Sequence, residues 1–388
     1  MTDFFLDIFS WMSIGVIFIY PILIRRYLVT WKRLPEWQIP KNWQPKTSVS
    51  IIIPARNEEN NIEACLQSIL GLNYPAVLFD VIVVDDHSDD GTKMIIESFI
   101  EKFSKPGSPE IFLLPSKDLD GRGKKAALTS GISKAKGTLI VTTDADCIVP
   151  ENWLNYLVSY FEDNNAAFIA APVNFYQEKN LLEQFQSLDY MGMMLITGAG
   201  IHGKFGWMSN GANLAYPKTV FETLNGFLGV DHIASGDDML FMQKVAERYP
   251  DQIGFVKSNN ATVLSIAKPN WHSFLQQRIR WAGKTGAYRQ PQLVFTQSLV
   301  FIYCAFIFLW IPLLFFSGWT RLWILAGMIA VKYLADYFLL KTASSFFGRK
   351  ELMKIFPKAE WLHTIYIFLT GLSSMVKKKH VWKDRKVK

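Results

Sequence analysis

Residues 49–59 read Val-Ser-Ile-Ile-Ile-Pro-Ala-Arg-Asn-Glu-Glu, a β-rich run that stops at a proline and gives way to a charged loop. A short apolar run bounded by such residues has the pattern of a buried strand. Runs of the same kind occupy Asp80 to Val84, Glu110 to Leu114, Thr138 to Thr142 and Ala167 to Ala171. Between the first two, Ile62, Cys65, Leu66 and Ile69 recur at helical spacing within Asn60 to Leu70. Strands alternating with helices predict an α/β domain built on a parallel sheet. Ligands of such sheets bind outside the carboxyl ends of the strands.

The polar signatures of the chain fall at those ends. Ala55, Arg56 and Glu58 follow the first strand, Asp85 and Asp86 end the second, and Asp144-Ala-Asp146 follows the fourth. Farther on come Asn210-Gly211-Ala212-Asn213, Ser235-Gly236-Asp237-Asp238 and Gln277-Arg278-Ile279-Arg280-Trp281. Read singly, each has an ordinary explanation. Ser88, Asp89 and Asp90 precede a helix that they could cap, Asn-Gly is a strong turn signal, and Arg with Trp suits an interfacial helix. The stretch Gly121-Arg122-Gly123-Lys124 is not a P-loop, because the spacing from Gly to Gly-Lys-Ser/Thr is absent. Two carboxylates two apart on an extended segment point the same way, so Asp144 and Asp146 are candidate ligands of a hard cation such as Mg²⁺ or Mn²⁺.

Taken in order, these motifs resemble the family 2 glycosyltransferases, inverting enzymes of the GT-A fold. The resemblance runs from Val49 to Trp281 and implies a Rossmann-like nucleotide-binding domain inserted between transmembrane helices. It places the nucleoside of a donor such as a UDP-sugar against Ala55, Arg56, Glu58, Asp85, Asp86 and Asp144, with Lys124 facing phosphate. It makes Asp146 and Asp144 the metal residues and Asp238 the general base. Asn210, Gly211, Asn213 and Asp237 would shape the sugar and acceptor pocket. In the QxxRW pattern of the membrane-embedded members, Gln277, Arg280 and Trp281 would meet the diphosphate and the acceptor. The implied reaction moves a hexosyl group from a nucleotide-sugar to a hydroxyl of a lipid or saccharide acceptor.

The remaining sequence is apolar. Phe4 to Ile24, Leu299 to Phe316 and Leu322 to Leu340 are each near the roughly 20 residues that cross a bilayer, and Trp361 to Val376 is a shorter fourth stretch. The expected organisation is an N-terminal anchor over 1–26, a catalytic domain over 45–290, a membrane region over 293–376 and a basic tail over 377–388. Asp3 and the absence of a small-residue cleavage site distinguish the first segment from a cleaved signal peptide. Arg25, Arg26, Lys32 and Arg33 follow it directly, which by the positive-inside rule puts the catalytic domain in the cytosol. Four crossings would strand the basic tail outside, so Trp361 to Val376 is the segment expected not to cross.

The net charge of +7 over 388 residues gathers beside these spans, as contact with anionic lipid headgroups requires. No nucleic-acid motif accompanies it. The 3 cysteines have no paired spacing for a disulfide framework or a zinc site. Lys332 and Asp336, four apart in a span, share a helix face and can neutralise each other. A processive polysaccharide synthase would use the same chemistry, and a nucleotide-binding membrane scaffold would keep the fold without the reaction.

Overall fold

A computed structural model describes residues 2–115, 123–230, 236–283, 290–317, 321–376, 380–382 and 385–387. In chain order its elements are α1 (Thr2–Arg33), β1 (Val49–Ala55), α2 (Ile62–Leu70), β2 (Phe79–Asp85), α3 (Thr92–Phe103), β3 (Glu110–Leu114), α4 (Lys124–Lys134), β4 (Leu139–Thr142), α5 (Trp153–Asn164), β5 (Phe168–Ala170) and β6 (Val173–Tyr176). These are followed by α6 (Leu181–His202), β7 (Leu214–Pro217), α7 (Lys218–Thr223), α8 (Asp237–Arg248), β8 (Ile253–Phe255), β9 (Val263–Ile266), α9 (Trp271–Ala282), α10 (Pro291–Ser317), α11 (Leu322–Phe346) and α12 (Phe356–Val376). Short strands at His380–Trp382 and Arg385–Val387 end the chain. Two compact units result. One comprises Leu34–Gln177, Trp207–Ile266 and Val381–Lys388, the other Met1–Arg33, Glu178–Gly206 and Ala267–His380.

In the first unit every expected strand forms, within a seven-stranded sheet of order β3-β2-β1-β4-β7-β5-β8. β1 pairs in parallel with β2 and β4, and β2 with β3. Because β2 lies on one side of β1 and β4 on the other, the order reverses at β1, which opens a crevice at the carboxyl ends of these strands. β7 enters antiparallel between β4 and β5, an element the sequence reading did not contain. Four residues ending in a proline give too short a pattern to read. β2 is buried along its whole length, as a strand covered on both faces must be. Helix α2 buries the expected Ile62, Cys65, Leu66 and Ile69.

Close backbone approach fixes the other end of the sheet. A Cβ on Gly137 would sit 2.3 Å from the Ser50 nitrogen, so only glycine fits where the chain enters β4. The Gly137 N–H donates to Ser50 Oγ at 2.8 Å, and Ser50 Oγ donates to Asp80 Oδ1 at 2.5 Å. Burial pushes the Asp80 carboxyl up, while the Ser50 hydroxyl opposes the shift.

The second unit is helical. Among the described residues three helices are long and apolar enough to cross a membrane, over Phe4–Arg33, Pro291–Phe315 and Leu322–Phe346. Helix α12 forms over the fourth apolar stretch and is not among these three. Helix α6 is buried on nearly all sides and starts with a reciprocal cap. Asn180 Oδ1 accepts from the Glu183 N–H at 3.0 Å, and Glu183 accepts from the Lys179 N–H at 2.6 Å. The three cysteines are buried as free thiols.

The buried Lys332, Asp336, Glu360, Arg278 and Asp189 of this unit are paired. Lys332 Nζ donates to Asp336 Oδ2 at 2.7 Å, as the spacing of four predicts, and also to Glu360 Oε1 of α12 at 2.6 Å. Tyr20 of α1 donates to Asp336 Oδ1 at 2.5 Å. Arg278 of α9 meets Asp189 of α6 at 2.9 Å, and the Tyr366 hydroxyl donates to the same carboxylate at 3.1 Å. Removing one partner of a buried pair leaves the other uncompensated, at about 3–5 kcal/mol. Lys332→Met should therefore lower the thermal midpoint of the detergent-solubilised protein far more than Asp336→Asn, which leaves Lys332 paired with Glu360. Equal midpoints would show that the lysine does not hold the helices together.

Candidate active site

The loops after β1 and β2 are stitched into one wall. The Asp86 N–H donates to the Ala55 carbonyl at 2.8 Å, and Arg56 Nη1 donates to the Asp86 carbonyl at 2.9 Å and to the His87 carbonyl. The Ser88 hydroxyl accepts from the Asn57 N–H at 3.1 Å, and Thr92 Oγ1 accepts from the Glu58 N–H at 2.8 Å. Both carboxylates that end the second strand are buried: Asp85 accepts from the Ser88 N–H at 3.1 Å, and Asp86 Oδ1 accepts from the Gly123 N–H at 3.1 Å. The N-cap of α3 is Gly91, and Asp90 before it accepts from the Thr92 N–H at 3.0 Å. One oxygen each of Asp85 and Asp86 instead ties the loops of the crevice together.

Gly123 has φ of 95°, a left-handed conformation suited to glycine, and it turns the chain into α4. The first residue of that helix is Lys124, whose ammonium meets Asp144 Oδ1 at 2.6 Å and Asp237 Oδ2 at 3.6 Å. Burial alone would lower the pKa of Lys124, but these carboxylates outweigh it and hold the ammonium above its ordinary value. Lys125 points elsewhere, donating to the Val230 carbonyl. Lys124, expected to face phosphate, is engaged here with carboxylates. Gly121, Arg122 and Ser235 lie outside the described residues.

Asn210 to Asn213 form the turn that Asn-Gly predicts, closed by the Asn213 N–H on the Asn210 carbonyl at 3.1 Å. The turn has a second use. The Gly211 carbonyl accepts from Thr142 Oγ1 of β4 at 2.9 Å, and its N–H donates to Asp238 Oδ2 at 3.0 Å. Asp238 Oδ1 accepts from the Met239 N–H at 2.8 Å, so backbone donors orient both oxygens of this carboxylate. Gly236, with φ of 84°, precedes α8 and lets Asp237 and Asp238 open the helix, where its dipole favours negative charge. A Cβ on Gly211 would lie 2.8 Å from Lys124 Nζ and 3.4 Å from Asp237 Oδ2, so glycine permits this convergence.

Asn213 plays a different part from the substrate contact expected of it. Its side chain is fully buried, accepting from Trp153 Nε1 at 2.9 Å and donating to the carbonyls of Pro172 and Ala261 at 2.7 and 2.8 Å. It braces β7 from inside. Thr142 was not anticipated, because nothing in the sequence says which strand end will face a turn 69 residues later.

Gln277, Arg280 and Trp281 lie on α9 of the helical unit. There Trp281 stacks on the Arg278 guanidinium, 4.5 Å from its ring centroid. Among the described residues no group of three or more His, Cys, Asp or Glu could hold a metal ion. Asp144 and Asp146 at the end of β4 are both partly exposed. That donor set fits a hard cation that takes one or two carboxylates from protein and the rest from phosphate and water.

Comparison with known proteins agrees with this architecture. The sequence pattern described as glycosyl transferase family 2 matches residues 50–249. The probable glycosyltransferase YdaM of Bacillus subtilis is 27% identical over 267 residues, 66% of this chain and 59% of that protein. The beta-monoglucosyldiacylglycerol synthase of Trichormus variabilis is 24% identical over 286 residues, 71% of this chain and 57% of that protein. The poly-beta-1,6-N-acetyl-D-glucosamine synthase of Staphylococcus epidermidis is 26% identical over 153 residues, 39% and 34%. The chain thus spans less than two thirds of the length of each of these curated relatives. Among solved structures, the mannosyltransferase PcManGT of Pyrobaculum calidifontis, in complex with GDP-Man and Mn²⁺, superposes with a TM-score of 0.56 at 17% identity, covering 94% of this chain and 97% of that one. At such identity the likeness concerns the fold, which is the expected GT-A arrangement. With more than half of its length matched by the family pattern and the fold in agreement, the chain belongs to glycosyl transferase family 2.

Proposed function

We propose that this glycosyltransferase moves a sugar, with inversion, from a nucleotide-diphosphate sugar to a hydroxyl of a lipid at the cytosolic leaflet. The observation that carries the reading is the convergence on Gly211 and Lys124. One cation and three carboxylates, Asp144, Asp237 and Asp238, meet at the carboxyl edge of β4, beside the loops of β1 and β2. The buried Asp85 and Asp86 give the nucleoside its hydrogen-bond acceptors, with Ala55, Arg56 and Glu58 in the adjoining loop. Asp146 and Asp144 would hold the divalent cation, which when bound supplies positive charge to offset the diphosphate.

Asp238 takes the proton of the acceptor hydroxyl as its oxygen forms the bond to the anomeric carbon. The bond from that carbon to the diphosphate breaks with its electron pair, and the nucleoside diphosphate leaves. The Gly211 and Met239 N–H groups hold the Asp238 carboxylate in one orientation for this role. Lys124 balances the charge of Asp144 and Asp237 before the donor arrives. The parts given to Gln277, Arg280 and Trp281 rest on the motif resemblance alone.

The lipid acceptor draws on the apolar helices, and on the relatives whose names place glucose on diacylglycerol. The basic residues after the first span favour a cytosolic catalytic domain, and three crossings return the tail to the same side. The QxxRW motif and the polysaccharide synthase among the relatives favour a second reading, a processive synthase. Turnover by the purified protein with a panel of sugar nucleotides and Mg²⁺ or Mn²⁺ separates the two. Sugar in the organic phase supports the lipid acceptor, and polymer supports the synthase.

Asp238→Asn should lower turnover by about 10²–10⁴-fold, the usual contribution of a general base, with donor binding nearly unchanged. Asp146→Ala should weaken metal-dependent donor binding itself, and chelation should do the same to the unaltered protein. Calorimetric donor titrations beside rate measurements check both, and equal behaviour of the two variants would refute the division of roles. In Gly211→Ala the new methyl displaces Lys124, so turnover should fall roughly tenfold or more while the fold, read by circular dichroism, is retained.

A further inference from the structure

The helical unit carries an open, groove-like cavity of ≈ 670 Å³, with Arg25, Arg26 and Arg33 exposed along it, that the transfer reaction does not use. One wall is the last part of α1, where Ile22, Arg26, Val29 and Arg33 fall four, three and four residues apart and so share a face, with Arg25 beside them. His202 at the end of α6, with Gly203 and Phe205 just beyond it, also lines the cavity.

Arg25, Arg26 and Arg33 have no ion-pair partner among the described residues. Three guanidinium groups around one cavity without a carboxylate leave positive charge for a ligand to neutralise. Arg26 is held in place by Phe205, with its guanidinium carbon 4.0 Å from the ring centroid. Stacking engages the flat face of a guanidinium and leaves its in-plane N–H donors available, in the fork geometry that matches phosphate. The ring is itself buried and packed edge-on against Tyr27 at 5.1 Å. A Cβ on Gly203 would fall 2.2 Å from that ring, so the seat of Phe205 depends on the glycine.

Depth identifies the source of the phosphate. At ~1.5 Å per residue, the apolar run Phe4 to Ile24 covers about 30 Å, the thickness of the hydrocarbon core. The three arginines therefore begin where headgroups begin. One turn deeper, Ile22 is 68% exposed and offers an apolar rest for an acyl chain. We propose that this cavity binds the phosphate of an anionic phospholipid, with its chains lying along the Ile22 side of α1. The site is independent of the transferase reading, because no residue assigned to that reaction lines it.

The test is native mass spectrometry of the full-length protein in detergent with dioleoylphosphatidylglycerol or dioleoylphosphatidylcholine. About one phosphatidylglycerol per chain should be retained over phosphatidylcholine. Arg26→Gln/Arg33→Gln should weaken that retention at least tenfold, whereas Lys32→Gln, outside the cavity, should not. Arg26→Lys/Arg33→Lys keeps the charge, guards against a folding defect and should show a smaller, several-fold loss from the missing fork. Equal retention of the two lipids, or full retention by the glutamine variant, would overturn the proposal. Displacement of the lipid by inorganic phosphate of comparable affinity would also overturn it, since the site would then be one for the free ion.

Discussion

A charge withdrawn from water must meet an opposite charge, and both units of this chain are organised around a lysine that satisfies this condition. Lys124 opens α4 and is held between Asp144 and Asp237. Lys332 lies within α11, held between Asp336 on its own helix and Glu360 on α12. The consequences differ because the surroundings differ. Lys124 lines an open crevice, where a charged substrate can compete for it. Lys332 is 1% exposed, and its partners tie together helices that have little hydrophobic preference for one another within lipid.

The crevice follows from strand order. With β2 and β4 flanking β1, three loops are forced to the same edge, and the hydrogen bonds between them are mostly from backbone to side chain. Asp86 links the loops after β1 and β2 to the start of α4. Gly211 links β4 to the start of α8. The catalytic candidates are thus carried by helix starts and strand ends that the sheet positions, while glycines at 123, 211 and 236 provide the turns and the close approaches.

Much of this was legible in the sequence, for local reasons. The strands around Ile51, Val83 and Leu139 are runs whose pattern needs no partner to be read, and the helix over Ile62 to Ile69 shows its own periodicity. The Lys332–Asp336 pair is fixed by spacing on one helix. What could not be read depends on separation. Nothing in Lys124 shows that it will reach Asp144 rather than a phosphate, since that depends on the register of α4 against β4. Asp189, Arg278 and Glu360 lie in three different helices, and only packing joins each to its partner. Asn213 sits in a motif but is turned inward, because Trp153 and two carbonyls need the hydrogen bonds that its amide supplies. The roles given to Asp238, Asp146 and Trp281 come from motif order, which geometry accommodates without itself assigning them.

The pairing of Tyr20 with Asp336 joins residues 316 positions apart. At ribosomal speeds of about 5–20 residues per second, α1 is complete tens of seconds before its partner is made. During that interval Ser13 is already satisfied by the carbonyl of Phe9 on its own helix, and the Tyr20 phenol waits. Lys332 faces no such delay. Asp336 is four residues away on the same helix, so the insertion machinery receives a segment that is already close to neutral, and Glu360 completes the site afterwards. Intrahelical spacing therefore makes the segment deliverable to the bilayer, and interhelical pairing then fixes where it rests.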